Sequence, residues 1–140
     1  MDAILETCKF WLDRGLDGFR LDTVNYYFHD QKLRSNPPAQ AKPQVMATDL
    51  YGMQKNIYNK TRPENLGFLE RLRTLTDQYD DIMMVGEVGE MGRRSIEIMG
   101  EYTQGTSRLH MAYSFAMLGP DFNAEHFRNC IEGFQNGAPD

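Results

Sequence analysis

Cysteine is scarce in this chain. Two residues in 140, Cys8 and Cys130, are too few for a disulfide framework or a cysteine-based metal site. Both sit at apolar, helix-like positions and read as buried thiols. Histidine is little better represented: His29, His110 and His126 show no ligand spacing, so no metal is expected. A basic surplus is also lacking. Fifteen Lys and Arg against twenty Asp and Glu leave a net charge of −5 and a pI near 5.2, which excludes a nucleic-acid partner held by phosphate contacts. No apolar run approaches the roughly 18 residues of a membrane helix, and the mean hydropathy is −0.58, so no membrane partner is expected. The opening MDAILETCKFW lacks a basic region followed by an apolar core, and a cytoplasmic location is expected. What remains is 41% hydrophobic and 25% charged, ordinary values for a globular domain of this length.

The pattern along the chain alternates helix and strand. Ile4, Cys8 and Trp11, widened by Leu5 and Leu12, predict a helix over residues 1–14, stopped by Gly15. Residues 18–22 alternate as a short strand, with Phe19 and Leu21 on one side and Gly18, Arg20 and Asp22 on the other. A polar loop of about 29–63 follows, broken by Pro37, Pro38 and Pro43. Leu66, Leu69, Leu72 and Leu75 predict a helix over 65–79. The run Ile82-Met83-Met84-Val85 predicts a buried strand over 82–88. A helix over 94–102, a strand over 109–118 and a helix over 123–134 complete the order, the last with Asn123 as N-cap. Such alternation implies an α/β fold, parallel strands with covering helices. A loop longer than 30 residues in a compact domain is usually a binding loop, and in α/β folds it sits at the carboxyl ends of strands.

The chemistry is concentrated at two strand ends. Arg20 and Asp22, two apart on a strand, share a face, and an arginine keeps a neighbouring carboxylate ionised. Glu87 ends the second strand against apolar surroundings, which favour a protonated carboxyl. One ionised and one protonatable carboxylate at neighbouring strand ends suit a glycosidase, in which one attacks and the other donates a proton.

The strings themselves go further. GLDGFRLDTVN (residues 15–25) and MVGEV (residues 84–88) resemble two signature segments of glycoside hydrolase family 13, the α-amylase family. DTVNYYFHD, the NPP of the long loop, NKTRPENLGFLERLR, ILETCKFWLDRG and LHMAYSFAML are similar to its exo-acting bacterial α-glucosidases and oligo-1,6-glucosidases. The resemblance implies that residues 1–140 are part of a (β/α)8 TIM barrel, about its third to its sixth helix. It implies a retaining α-glucosidase with Asp22 as nucleophile, Glu87 as general acid/base and Arg20 orienting and ionising the nucleophile. Their carboxyl groups would lie about 5–5.5 Å apart. Thr23 would border the acceptor subsite, where threonine or alanine accompanies α-1,4 and valine α-1,6 preference. The expected partner is therefore a small α-glucoside such as maltose, hydrolysed or transferred without a cofactor. The family's early sugar-holding segment and its later Asn-His-Asp segment are not in this sequence, so this piece alone is expected to be inactive.

Other residues have plainer readings. Met83, Met84, Met111 and Met117 are expected to fill the core. Tyr26, Tyr27 and Phe28 either stack on sugar or pack beneath the long loop. Glu90 is a loop-surface acid within reach of a sugar hydroxyl, and Arg93 and Arg94 form a solvated helix end. Rival readings are a trehalose-isomerising, α-1,6-cleaving or amylase specificity, and a non-catalytic barrel used for protein association. The presence of both Asp22 and Glu87 argues against the last.

Overall fold

A computed structural model describes residues 1–39, 51–118 and 121–137. The elements run α1 (Asp2–Leu12), β1 (Gly18–Leu21), α2 (Glu64–Thr76), β2 (Met83–Val88), α3 (Gly92–Thr103), β3 (Met111–Ser114) and α4 (Ala124–Gly137). Short 3-10 turns follow two of the strands, Val24–Tyr26 after β1 and Phe115–Leu118 after β3. The strands form one parallel sheet in the order β1-β2-β3. Each successive pair is joined through a helix, the α/β arrangement of a TIM-barrel segment.

The pairing register sorts the side chains onto two faces. Gly18 and Arg20 lie opposite Met83 and Val85, while Val85 and Glu87 lie opposite Met111 and Tyr113. These residues therefore share one face. On the other face Leu21, Met84 and Val88 are buried with Phe68, Leu69 and Leu72 of α2 and Ile98, Met99 and Tyr102 of α3. The helical spacing of both triplets matches one apolar stripe per helix.

This division corrects several expectations. Met84 is core, but Met83, Met111 and Met117 are about half exposed, because the first two lie on the uncovered sheet face and the last in the turn after β3. In α1 the buried positions are Cys8 and Leu12, with Leu5 partly buried, whereas Ile4 and Trp11 face outward. Burial raises the pKa of the Cys8 thiol. Cys130 is only half-buried, its thiol 3.6 Å from the Ala116 carbonyl. The third strand is shorter than expected, giving way to a 3-10 turn at Phe115. Asn123 does cap α4, accepting from the His126 amide at 2.8 Å. His110 closes the ladder instead of joining a ligand set, its Nδ1 accepting from the Met84 amide at 3.1 Å. Among the described residues no helix is long and apolar enough to cross a membrane.

The long loop is more ordered than its composition suggested. Pro38 and Gln54 pair antiparallel, flanked by bonds from Ala39 N to Met53 O and from Lys55 N to Pro37 O, both 2.8 Å. The Asn36 carboxamide receives the amides of Ile57 and Tyr58 and donates to Asn59. Such side-chain bonds to backbone substitute for regular structure. Pro43, the third expected breaker, lies outside the described residues.

Asp30 is buried at the neck of this loop. Its carboxylate accepts from Arg34 Nη2 at 2.6 Å and Nε at 3.0 Å. The Arg34 hydrogen bonds hold this carboxyl well below the usual carboxylate range. A depressed folded value contributes stability that is complete above the ordinary value of 3.8 and is lost as pH falls through the folded value. Asp30→Asn is therefore expected to flatten the acid limb of stability. Urea midpoints of the two proteins, taken from about pH 5 to pH 2, should converge at the acid end, and parallel curves would contradict this.

Candidate active site

Asp22 follows directly on β1, and Glu87 is the penultimate residue of β2. Because the strands are adjacent, parallel and in the register given above, the two acids leave the same end of the sheet on the same face. Arg20 lies between them. Its Nη1 donates to Asp22 Oδ1 and its Nη2 to Glu87 Oε2. A planar guanidinium offers its donors in a fixed fork, so one side chain sets both carboxylates side by side. The hydrogen bonds to Tyr113 and Asp22, with the charge of Glu87, raise the pKa of Arg20, so it remains a cation.

The surroundings of the two acids differ. The Asp22 side chain is 72% exposed and that of Glu87 only 9%. Yet the pocket around Glu87 is polar where apolar surroundings were expected. The Tyr113 hydroxyl donates to Glu87 Oε2 at 3.0 Å and accepts from Arg20 Nη2 at 3.0 Å and Nε at 3.1 Å. Tyr113 went unremarked in the sequence. Its register opposite Glu87 is the reason for the contact, and only a correctly bounded third strand reveals it.

The backbone turns sharply past Asp22. Thr23 has φ 39° and ψ 49°, a left-handed conformation that is costly for a β-branched residue. Asn25, fully buried, holds the turn. Its Oδ1 accepts from the Gly89 amide at 2.9 Å, and its Nδ2 donates to Thr61 Oγ1 at 3.2 Å. Its own carbonyl accepts the Thr61 amide at 2.6 Å. One carboxamide thus ties the β1 exit, the β2 exit and the end of the long loop together. This residue too had no assigned role.

Neighbouring residues resolve into support. Glu90 pairs with Lys60 at 2.7 Å, so its charge is engaged by the loop. Tyr27 and Phe28 pack on Phe68, with ring centroids 5.9 and 6.1 Å away. Tyr26 lies against Gly89 and under Lys60. Arg93 and Arg94 are exposed and meet Glu97. Among the described residues no group of three or more His, Cys, Asp or Glu side chains could hold a metal ion.

Comparison with known proteins bears on this geometry. Residues 1–135 match the alpha amylase catalytic domain. The chain is 44% identical to a probable alpha-glucosidase of Rhizobium meliloti (strain 1021), covering 99% of this chain and 26% of that protein. It superposes on the crystal structure of the alpha-glucosyl transfer enzyme XgtA with a TM-score of 0.86 at 41% identity, over 99% of this chain and 26% of that one. The trehalose-6-phosphate hydrolase of Bacillus licheniformis, 22% identical with a TM-score of 0.71 over 98% of this chain and 24% of its own, shares the fold. The chain therefore spans about a quarter of the length of the relatives it matches.

Proposed function

This chain belongs to the alpha-amylase catalytic-domain family, and from that premise we propose that it carries the two reacting carboxylates of a retaining α-glucosidase. Asp22 is the nucleophile, Glu87 the general acid/base and Arg20 the residue that orients Asp22. The observation that carries this reading is the single guanidinium bonded to both carboxylates at adjacent strand ends. In the first step Asp22 forms a bond to the anomeric carbon as Glu87 gives its proton to the departing oxygen. In the second, Glu87 takes a proton from water or an acceptor hydroxyl, which displaces Asp22.

The substrate class is the small α-glucosides, with maltose-like α-1,4 disaccharides preferred. The names of two relatives, a probable alpha-glucosidase and an alpha-glucosyl transfer enzyme, support hydrolysis and transfer alike. An aryl α-glucoside, whose only sugar product is the transferred glucose, should release α-glucose first when incubated with the full-length protein, as followed by proton NMR. Initial β-glucose would overturn the retaining mechanism.

The linkage preference is assigned to Thr23. Exchange of its hydroxyl for a methyl alters the hydrogen bonding and space offered to the acceptor sugar, worth about 1–3 kcal/mol in discrimination. Thr23→Val keeps the β-branch, so the left-handed backbone is no worse than before. We expect the kcat/KM ratio of maltose to isomaltose to fall by about 10- to 100-fold in this variant. An unchanged ratio removes Thr23 from the specificity argument.

A further inference from the structure

Resting on the reading of Glu87 as acid/base, we infer that Tyr113 is a positioning residue that dedicates the two oxygens of Glu87 to different tasks. A phenol hydroxyl has one donor and two acceptor sites. Tyr113 uses all of them, donating to Glu87 Oε2 and accepting from Nη2 and Nε of Arg20. Arg20 Nη2 also bonds to Oε2. Both donors therefore fall on one carboxyl oxygen. An oxygen already accepting two hydrogen bonds, one of them charge-assisted, is poorly placed to carry a proton. That leaves Oε1 as the oxygen that protonates the leaving group and later receives the proton of water.

The hydroxyl also fixes where Oε1 points. A carboxylate held through one oxygen by Arg20 alone can still swing about that contact. A second donor from the opposite strand, at the register position of Glu87 itself, removes that freedom. Arg20 is common to both acids, so Tyr113 aligns Glu87 relative to the fork that holds Asp22. It touches no reacting atom in this arrangement; it acts through Glu87.

The test separates positioning of a general acid from ordinary structural support. Maltose has a sugar alkoxide as leaving group and needs the proton. α-Glucosyl fluoride loses fluoride without one, and its kcat/KM reports only formation of the Asp22 adduct. In the full-length protein, Tyr113→Phe is expected to lower kcat/KM for maltose by about 10- to 100-fold, the usual range for a lost hydrogen bond to a charged group. It should lower kcat/KM for α-glucosyl fluoride by less than about threefold. Equal losses on both substrates, including a variant inactive on both, overturn the inference, as does an unaffected rate on maltose. Asp22→Ala serves as the reference. If it still consumes α-glucosyl fluoride at the unmutated rate, the assignment of the site itself is wrong, whatever Tyr113→Phe does.

Discussion

Glu87→Ala and Asp22→Ala in the full-length protein should each remove hydrolysis of maltose and should respond to azide with products of opposite configuration. General acid/base help is worth about 10²–10⁴-fold, and loss of the nucleophile on the order of 10⁴-fold or more. Both variants are therefore nearly silent on maltose, and magnitude alone does not tell the roles apart. Stereochemistry does. With Glu87 gone, an activated aryl α-glucoside can still load Asp22, since its phenolate departs unaided. Azide needs no base and then enters from the face the leaving group vacated, giving α-glucosyl azide. With Asp22 gone, azide takes the place vacated by the carboxylate and attacks the substrate itself, giving the β-azide. NMR coupling of the anomeric proton reads the result. Exchanged configurations would exchange the roles of Asp22 and Glu87, and no azide product from either would remove both from the reaction.

Much of this site was legible before any coordinates, and the legible parts share a physical cause. The alternation at Phe19 and Leu21 and the apolar run at residues 82–85 report burial of one sheet face, which the structure realises through Leu21, Met84 and Val88. Arg20 and Asp22 follow from period two alone, and both acids do end parallel strands. Periodicity does not say which face a neighbour covers, however. Met83 and Met111 have the composition of core and stand half exposed, because three strands leave one face of the sheet open. In α1 the set Ile4-Cys8-Trp11 and the set Leu5-Cys8-Leu12 fit one helical period equally well. The packing of α1 against α2, on the side of Cys8 and Leu12, decides between them.

Contacts across strands were the least visible. Tyr113 reaches Glu87 through a register that depends on where β3 begins, and a strand expected over 109–118 leaves that start open. Asn25 lies within a signature segment, yet its three hydrogen bonds join it to two residues, Thr61 and Gly89, at separations no local pattern encodes. The long loop hid its order for the same reason: Asn36 and Asp30 hold it by side-chain bonds, not by repeated apolar spacing. Glu87 shows the converse error. Apolar neighbours in sequence suggested apolar surroundings, but strand neighbours alternate faces, and the face it occupies carries Arg20 and Tyr113.

Gly18→Ala should destabilise the protein by about 3–5 kcal/mol and disable it as well, although this position touches neither acid. Gly18 has φ 154°, and a methyl group built on its α-carbon would stand 2.0 Å from the carbonyl oxygen of Met83 and 2.9 Å from its carbon. Met83 is its register partner, so the obstacle is backbone and no rotamer can clear it. Either β1 moves away from β2 or the pairing slips. Both responses travel the short distance to Arg20, opposite Val85, and on to Asp22, because a strand moves as a unit. A displacement near 1 Å at reacting groups costs about 10²-fold in rate, which is the loss of kcat expected in whatever fraction still folds. Gly67→Ala supplies the contrast. Gly67 lies in α2 with nothing within 4 Å of an added methyl, and helix propensity favours alanine there by about 1 kcal/mol. The urea midpoint should thus rise slightly for Gly67→Ala and fall steeply for Gly18→Ala, with kcat unchanged in the first. A Gly18→Ala protein with ordinary stability and kcat would mean that the close approach of Gly18 to Met83 does not set the spacing of β1 and β2, and that the alignment of Asp22 with Glu87 rests on the side-chain bonds of Arg20, Tyr113 and Asn25.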